Sequence, residues 1–335
     1  MNLSCRTPGL LVGLALASFA PGQTPALATV TPPNPKAIEA VSRGDAAFAK
    51  RDLNEAIRQY QSAQQIDPHF EAAFVHCGDA MVVNHQIGAA RDQYQKAIDL
   101  GVSDTQAYMR HARCVYQLGD VDAAMRDCDQ AIANDLRCFD AYTFRGGCYL
   151  FKGDADTAAA DYSEAIALQP KNPSTWFNYG MAQVALNNFQ LELFAFDQVV
   201  KLNPKFAMGY CRRAAAYGDL GRFEEALADA NKALELNPNE PFGHYLVSRE
   251  QMELKKVPEA MNAVNEAIRL DPKYTAAYIW RGVIYDRSND LDHAIADYQK
   301  ALECDPTSTL AQNNLAAAQK KQSPQPQRIP MNRRQ

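Results

Sequence analysis

Residues 275–308 read TAAYIWRGVIYDRSNDLDHAIADYQKALECDPTS, and this stretch of 34 residues decides the fold. The third residue from its end is Pro306, and prolines recur along the chain at steps of 34 residues. The rungs of this ladder are Pro68, Pro170, Pro204, Pro238, Pro272 and Pro306, and the two vacant rungs are Val102 and Leu136. A fixed period of this length indicates tandem copies of one supersecondary unit.

Setting proline at position 32 divides the chain into eight units, with limits 37–70, 71–104, 105–138, 139–172, 173–206, 207–240, 241–274 and 275–308. Small residues then fall at position 8, and alanine occupies positions 20 and 27 in seven units each. Aromatic residues fill most of position 4 and five of the eight places at position 24. In the fifth unit Glu192 and Val199 replace the alanines, which either opens that unit locally or is tolerated there.

The columns predict two helices in each unit. Proline inside a helix costs about 3 kcal/mol or more, so position 32 must lie in the connection between units. A turn residue followed by an N-cap acceptor stands midway in several units, at Gly119-Asp120, Gly153-Asp154 and Asn289-Asp290. We expect small residues at positions 8 and 20 to bring the two helices close, with the aromatic rings filling the gaps around that contact.

These columns resemble the tetratricopeptide repeat family over residues 37–308. The resemblance implies a right-handed superhelix of antiparallel helix pairs, with a concave face lined mainly by the first helices and used to hold a segment of a partner. We therefore expect an all-α, right-handed superhelical solenoid of eight 34-residue antiparallel helix hairpins. One hairpin cannot bury both of its apolar faces, so neighbouring hairpins must stack to do so. Residues 309–322, TLAQNNLAAAQKKQ, predict a C-terminal capping helix.

The two ends of the chain differ from the repeats. Arg6 is the only charge in residues 1–28, which hold an apolar run at 10–20 and a small-x-small site ending at Ala28. This pattern predicts a signal peptide cleaved near Ala28 and a periplasmic or secreted protein. An uncleaved membrane anchor is the alternative, although a span needs about 20 apolar residues. Composition predicts a proline-rich linker at 29–36 and a disordered tail at 323–335.

Composition and motifs exclude several classes of function. The net charge of −5 disfavours nucleic-acid binding, which needs a concentrated basic face. No phosphate-cradling glycine loop, zinc-protease signature or nucleophile elbow occurs in the sequence. We expect no catalytic residues, no cofactor, no nucleic-acid partner and no small-molecule substrate.

The cysteines and one histidine form the nearest thing to a reactive cluster. His111 and Cys114 share a helix face, and Cys77 and Cys148 stand at positions 7 and 10 of the adjoining first helices. A soft-metal site can be drawn from these four residues. Positions 7 and 10 are packing positions, however, so we expect buried thiols and no metal. Loss of the leader leaves seven of the eight cysteines, an odd number for disulfides.

The family places positions 2, 5, 9, 12 and 13 of each unit in the groove. These positions are mixed and charged in the first three units and apolar and aromatic in units four to seven. The lysine and asparagine that clamp a terminal carboxylate in some members are missing at positions 5 and 9. The candidate groove residues are Arg113, Thr143, Leu150, Phe151, Phe177, Met181, Met208, Phe242, Tyr245, Arg249 and Met252, together with Arg110 at the neighbouring position 6.

Such a lining predicts a scaffold that binds a protein or peptide through an apolar segment, either an amphipathic helix or an extended chain. Methionine and aromatic side chains suit this role because they adapt to apolar surfaces. The alternative is that these residues seal a narrow groove or pack against a second copy of the chain, as in a homodimer.

Overall fold

The computed structural model of the protein describes residues 32–101 and 104–323. The leader, with its cleavage site at Ala28, and residues 324–335 of the tail lie outside the described residues, as does the vacant rung at Val102. In the described ranges, no helix combines the length and the apolar character needed to cross a membrane.

The described residues form seventeen α-helices and no strand. The helices are α1 Pro35–Ala49, α2 Leu53–Ile66, α3 Glu71–Val83, α4 Ile87–Asp99, α5 Thr105–Gln117, α6 Val121–Asn134, α7 Phe139–Phe151, α8 Ala155–Leu168, α9 Pro173–Ala185, α10 Phe189–Leu202, α11 Ala207–Asp219, α12 Phe223–Leu236, α13 Pro241–Glu253, α14 Val257–Leu270, α15 Thr275–Arg287, α16 Leu291–Cys304 and α17 Thr309–Gln322. Helices α1 to α16 form eight hairpins, numbered one to eight, each with a first and a second helix.

Contacts follow the order of the chain. Each first helix packs most extensively on the second helix of its own hairpin, and each second helix packs on the first helix of the next. Helix α17 lies against α16 and α15. Because each hairpin contacts only its neighbours, the core is continuous along the stack. The prediction of an all-α helical repeat solenoid is confirmed.

The turn inside every hairpin has the same backbone form. One residue per turn has a positive φ, between 55° and 91°, at the same position of each repeat. Glycine adopts this conformation without strain at Gly119 and Gly153. The next residues, Asp120 and Asp154, accept hydrogen bonds from the backbone N–H groups of the second helix. The turns predicted at these two sites are confirmed.

The glycines of position 8 lie beneath the rings of position 24. A Cβ added to Gly282 would come within 2.6 Å of the Tyr298 ring, and one added to Gly180 within 2.8 Å of the Phe196 ring. The nearest side chain to each of these two glycines is therefore the ring of position 24. The ring of the second helix lies directly on the bare backbone of the first, and larger side chains would displace it.

Candidate functional site

The first helices line the inner side of the stack. First helices of neighbouring hairpins contact each other. These contacts join α1 with α3, α7 with α9, α11 with α13 and α13 with α15. Over the described residues, no two second helices of neighbouring hairpins contact each other as extensively. Elements crowd together on the inside of a curve, so the first helices form its concave surface. We call this surface the groove.

Polar side chains pair across the groove in hairpins one to three. The Asp45 carboxylate contacts His76 Nδ1 at 2.7 Å and accepts a hydrogen bond from the Tyr60 hydroxyl at 2.8 Å. One hairpin further on, Asp79 accepts from the Tyr94 hydroxyl at 2.7 Å and pairs with Arg110 Nε at 3.1 Å. Burial and the Asp79 carboxylate together raise the pKa of Tyr94 well above its usual value. These hydroxyls remain protonated donors.

Four hollows follow one another along the groove, with volumes of about 220, 410, 330 and 240 Å³. Asp79 lines the first and second hollows, Arg113 the second and third, and Asn178 the third and fourth. Neighbouring hollows therefore share a lining residue and form a series, which we call the trough, from hairpin one to hairpin five. Of the candidate groove residues, Arg110, Arg113, Thr143 and Phe177 line it.

A cluster of three aromatic rings lies beside the third hollow. The Tyr116 ring makes edge-to-face contacts with Phe144, at 5.4 Å between centroids, and with Phe151, at 6.2 Å. Phe151 keeps 70% of its surface exposed. An apolar side chain this exposed on a concave surface has contact area to offer a partner.

Candidate residues in hairpins six and seven are engaged in contacts within the chain. Phe242 stacks on Tyr245, and the Tyr245 ring contacts those of Tyr274 and Trp280 edge to face. Arg249 donates to Glu250 at 2.7 Å and to Asp219 at 3.2 Å. These side chains support the groove wall, and their substitution would disturb the stack.

The other candidate residues are all half-buried. Leu150 packs beside the buried Tyr162, and Met208 packs on the cluster around Cys211. Met252 packs on the cluster around Val264. Met181 stands at position 9 of hairpin five, where hairpins one and two carry aspartates. The structure therefore brings together the candidate residues of hairpins three to five and uses most of the later ones for packing.

Three half-buried arginines, which sequence reasoning missed, join neighbouring hairpins. Arg213 donates two hydrogen bonds to Asp229, at 2.6 and 2.9 Å, and one to Asp197 of the preceding hairpin at 3.0 Å. The same arrangement links Arg145 to Asp161 and Asp129, and links Arg281 to Asp297 and Asn265. The sequence contains a signal for this arrangement, since an arginine and an aspartate stand 16 residues apart in hairpins four, six and eight.

Glu192 is a buried acid in hairpin five, with 2% of its surface exposed. Burial, with a smaller contribution from the Asp219 carboxylate, raises its pKa from 4.5 to about 7, while Arg212 and Arg249 act in the opposite direction. The site is therefore close to half ionised near neutral pH.

The described cysteines are all free thiols. Cys77, Cys114, Cys128, Cys138, Cys148 and Cys211 are buried free thiols, and Cys304 is half-buried. Burial raises the pKa of Cys77, Cys114 and Cys148 to about 11. No group of three or more metal-binding side chains comes together within residues 32–101 and 104–323. The six buried thiols pack as small apolar groups.

A stack of helical hairpins with a grooved inner surface defines the class of helical repeat scaffolds. Models of the tetratricopeptide repeat match residues 78–135, 126–173, 149–205, 207–240 and 275–308, together more than half of the chain. The chain belongs to the tetratricopeptide repeat family. This family generally serves as a scaffold for protein–protein interactions. A comparison with curated proteins finds no match.

Solved structures of several repeat proteins share the fold. The Cut9–Hcn1 hetero-tetramer of APC/C gives a TM-score of 0.57 at 15% identity, covering 83% of this chain and 55% of that chain. A tetratricopeptide repeat protein from Parabacteroides merdae gives 0.53 at 16% identity, covering 85% and 100%. YrrB, described as having an unusual peptide-binding site, gives 0.50 at 21% identity, covering 55% and 95%.

Proposed function

We propose that this chain is a non-catalytic scaffold that holds an apolar segment of another protein in its groove. The observation that supports this proposal most is the series of four adjoining hollows over hairpins one to five, with the exposed Phe151 ring beside it. An extended peptide or one helix matches a trough that runs across several first helices. Peptide binding is described for YrrB, which has the same fold.

The contacts favour hairpins three to five as the centre of this site. Arg113, Thr143 and Phe177 line open hollows there, and Phe151 is exposed. Aromatic anchors beside hollows carry most of the affinity in comparable interfaces. The paired charges at Asp45 and Asp79 then set the orientation of the segment rather than its affinity.

The groove is tested best at Phe151, because its exposure makes substitution harmless to the fold. Peptides selected from a random display library on the purified chain should bind Phe151→Asp at least ten times more weakly, since a carboxylate replaces the apolar contact. Leu136→Asp is the matched control, because Leu136 is 72% exposed and lies in the connection between α6 and α7. Fluorescence titration measures both affinities, and equal binding by the two variants would contradict the groove assignment.

We also propose that the chain acts in the cell envelope, on the strength of the leader-like residues 1–28. Mass spectrometry of the protein from its native source should find a mature chain that begins near Thr29. A chain that still begins at Met1 would overturn this part of the proposal and leave the scaffold function intact.

A second candidate function, self-association, is favoured by an apolar surface on the outer side of hairpin five. Phe189, Leu191 and Phe194 of α10 are exposed, and we call them the outer patch. At the positions of Leu191 and Phe194 the other seven hairpins carry only polar, charged or small residues. Asn187, Asn188 and Gln190 adjoin the patch in sequence and carry no charge. Two copies of this acidic chain can therefore meet there without like charges opposing each other.

If the outer patch joins two copies, Phe194→Asp should shift the chain from dimer to monomer in sedimentation-velocity experiments. The contact buries the ring in a dimer, and a carboxylate on each copy would oppose that burial. Ala228→Asp is the matched control, since Ala228 occupies the same position in hairpin six. A wild-type chain that stays monomeric at all concentrations would refute self-association.

A further inference from the structure

The third hollow contains a hydroxyl whose internal acceptor is missing. In hairpins one and two the tyrosine of position 24 donates to the aspartate of position 9, from Tyr60 to Asp45 and from Tyr94 to Asp79. In hairpin four position 9 is Gly147, and Tyr162 Oη has no hydrogen-bond partner among the described residues. The hydroxyl therefore lines the hollow with its hydrogen-bonding capacity unused.

A second unused polar group lies in the same hollow. Thr143 Oγ1 is buried and makes no hydrogen bond within the described chain. The half-buried side chain of Asn178 lines the same hollow. Buried hydroxyl groups are nearly always hydrogen-bonded in folded proteins. The buried Thr143 hydroxyl and the accessible Tyr162 hydroxyl therefore give this hollow two hydrogen-bonding groups without a partner in the described chain.

Gly147 provides the room for that acceptor. A Cβ added to Gly147 would lie 3.7 Å from Tyr162 Oη, with no other atom so near outside its own helix turn. The hollow measures about 330 Å³, and Tyr116 and Phe144 form an apolar wall beside it. It can hold a large side chain together with part of a main chain.

Charges at the rim determine which acceptor is suitable. The Arg113 guanidinium lies 4.0 Å from the Asp140 carboxylate, so the two charges largely cancel. Burial raises the pKa of the neighbouring Cys148 thiol to about 11, so it is uncharged at neutral pH. An incoming carboxylate would meet Asp140 and gain no unpaired cation, whereas a peptide carbonyl needs no charge to accept a hydrogen bond.

We propose that the third hollow binds one large apolar residue of an extended peptide, whose main-chain carbonyl accepts the Tyr162 hydroxyl while its side chain packs on Tyr116 and Phe144. This inference rests on the proposed scaffold function and specifies the occupant of one part of its groove.

Gly147→Asp tests the proposal by repeating in hairpin four what the chain already does twice. The new carboxylate should accept the Tyr162 hydroxyl and fill the hollow, so the fold should be retained and affinity for the selected peptides should fall at least tenfold. Val283→Asp is the matched control, because Val283 stands at position 9 of hairpin eight, the hairpin of Tyr298. Its affinity should equal that of the wild-type chain.

A small probe makes the test independent of the selected peptides. N-acetylphenylalanine methylamide at millimolar concentration should shift the NMR resonances of Thr143, Tyr162 and Asn178 in the wild-type chain, and should not shift them in Gly147→Asp. Stronger binding of N-acetylphenylalanine, which has a free carboxylate, would overturn the neutral-acceptor proposal, as would the absence of shifts with the methylamide. If Phe151→Asp loses the library peptides and Gly147→Asp retains them, the groove function stands and the hollow is not its subsite.

Discussion

Replacing Arg213 by valine should lower the free energy of unfolding by about 3–5 kcal/mol, the usual cost of breaking a buried ion pair from one side. Asp229 is buried and receives two hydrogen bonds from this guanidinium, so the substitution leaves its charge without a partner. The third hydrogen bond, to Asp197, joins hairpin six to hairpin five and is lost as well. Urea unfolding followed by circular dichroism measures the change.

The chain supplies its own control for this prediction. Hairpin seven has Val247 and Ala263 at the positions of Arg213 and Asp229. The double variant Arg213→Val, Asp229→Ala should therefore recover most of the lost stability, because no buried charge remains unpaired. Arg269→Val removes an exposed arginine that pairs with Glu266 and should change the midpoint little. A double variant as unstable as Arg213→Val would show that packing, and not charge, determines the loss.

Most of the fold could be predicted because helix breakers and close packing constrain a sequence locally. Pro306 and its equivalents mark the connections, and Gly119-Asp120 marks a turn and its cap. Each of these signals acts within one hairpin. The side chain that packs on Gly282 could not be predicted from the sequence in the same way. Only the crossing of the two helices decides whether Tyr298 or Ala294 contacts this glycine.

The exposure of side chains in the groove depends on how strongly the stack of hairpins curves. The repeat period of the sequence does not determine this curvature. Tyr245 belongs to a groove position by register, yet it packs on Tyr274 and Trp280 because neighbouring hairpins crowd together there. Phe151 has an equally apolar side chain and remains exposed. Register therefore predicts which residues face inward, and only the distances between helices show which remain available to a partner.

The sequence did contain two signals that a comparison of hairpins can find. The pairing of Arg145 with Asp161 recurs at the same spacing two hairpins later. Opposite charges that return at the same two positions of the repeat indicate the same ion pair in each of those hairpins. The absence of an aspartate at Gly147 also becomes informative once Tyr60 is seen to donate to Asp45. In a repeat protein, a departure from the local pattern identifies the residues to test.

Glu192 should make the stability of the chain fall as pH rises from about 4.5 to about 7. The unfolded state loses this proton near pH 4.5, whereas the folded state keeps it until about pH 7. Between these values the unfolded state binds fewer protons, so the free energy of unfolding decreases with increasing pH. The decrease amounts to about 3 kcal/mol, at about 1.4 kcal/mol per pKa unit for a shift of this size, and it is complete above pH 7.

Glu192→Gln keeps the size of the side chain and removes its ionisation, so the variant should lack this part of the pH dependence. Urea midpoints at pH 5 and pH 8 should differ less in the variant than in the wild-type chain, and the variant should be the more stable of the two at pH 8. Glu259→Gln, on the exposed side of α14, is the control and should keep the wild-type dependence. Identical pH profiles for Glu192→Gln and the wild-type chain would mean that Arg212 and Arg249 keep the Glu192 carboxylate ionised, and that hairpin five accommodates the charge without cost.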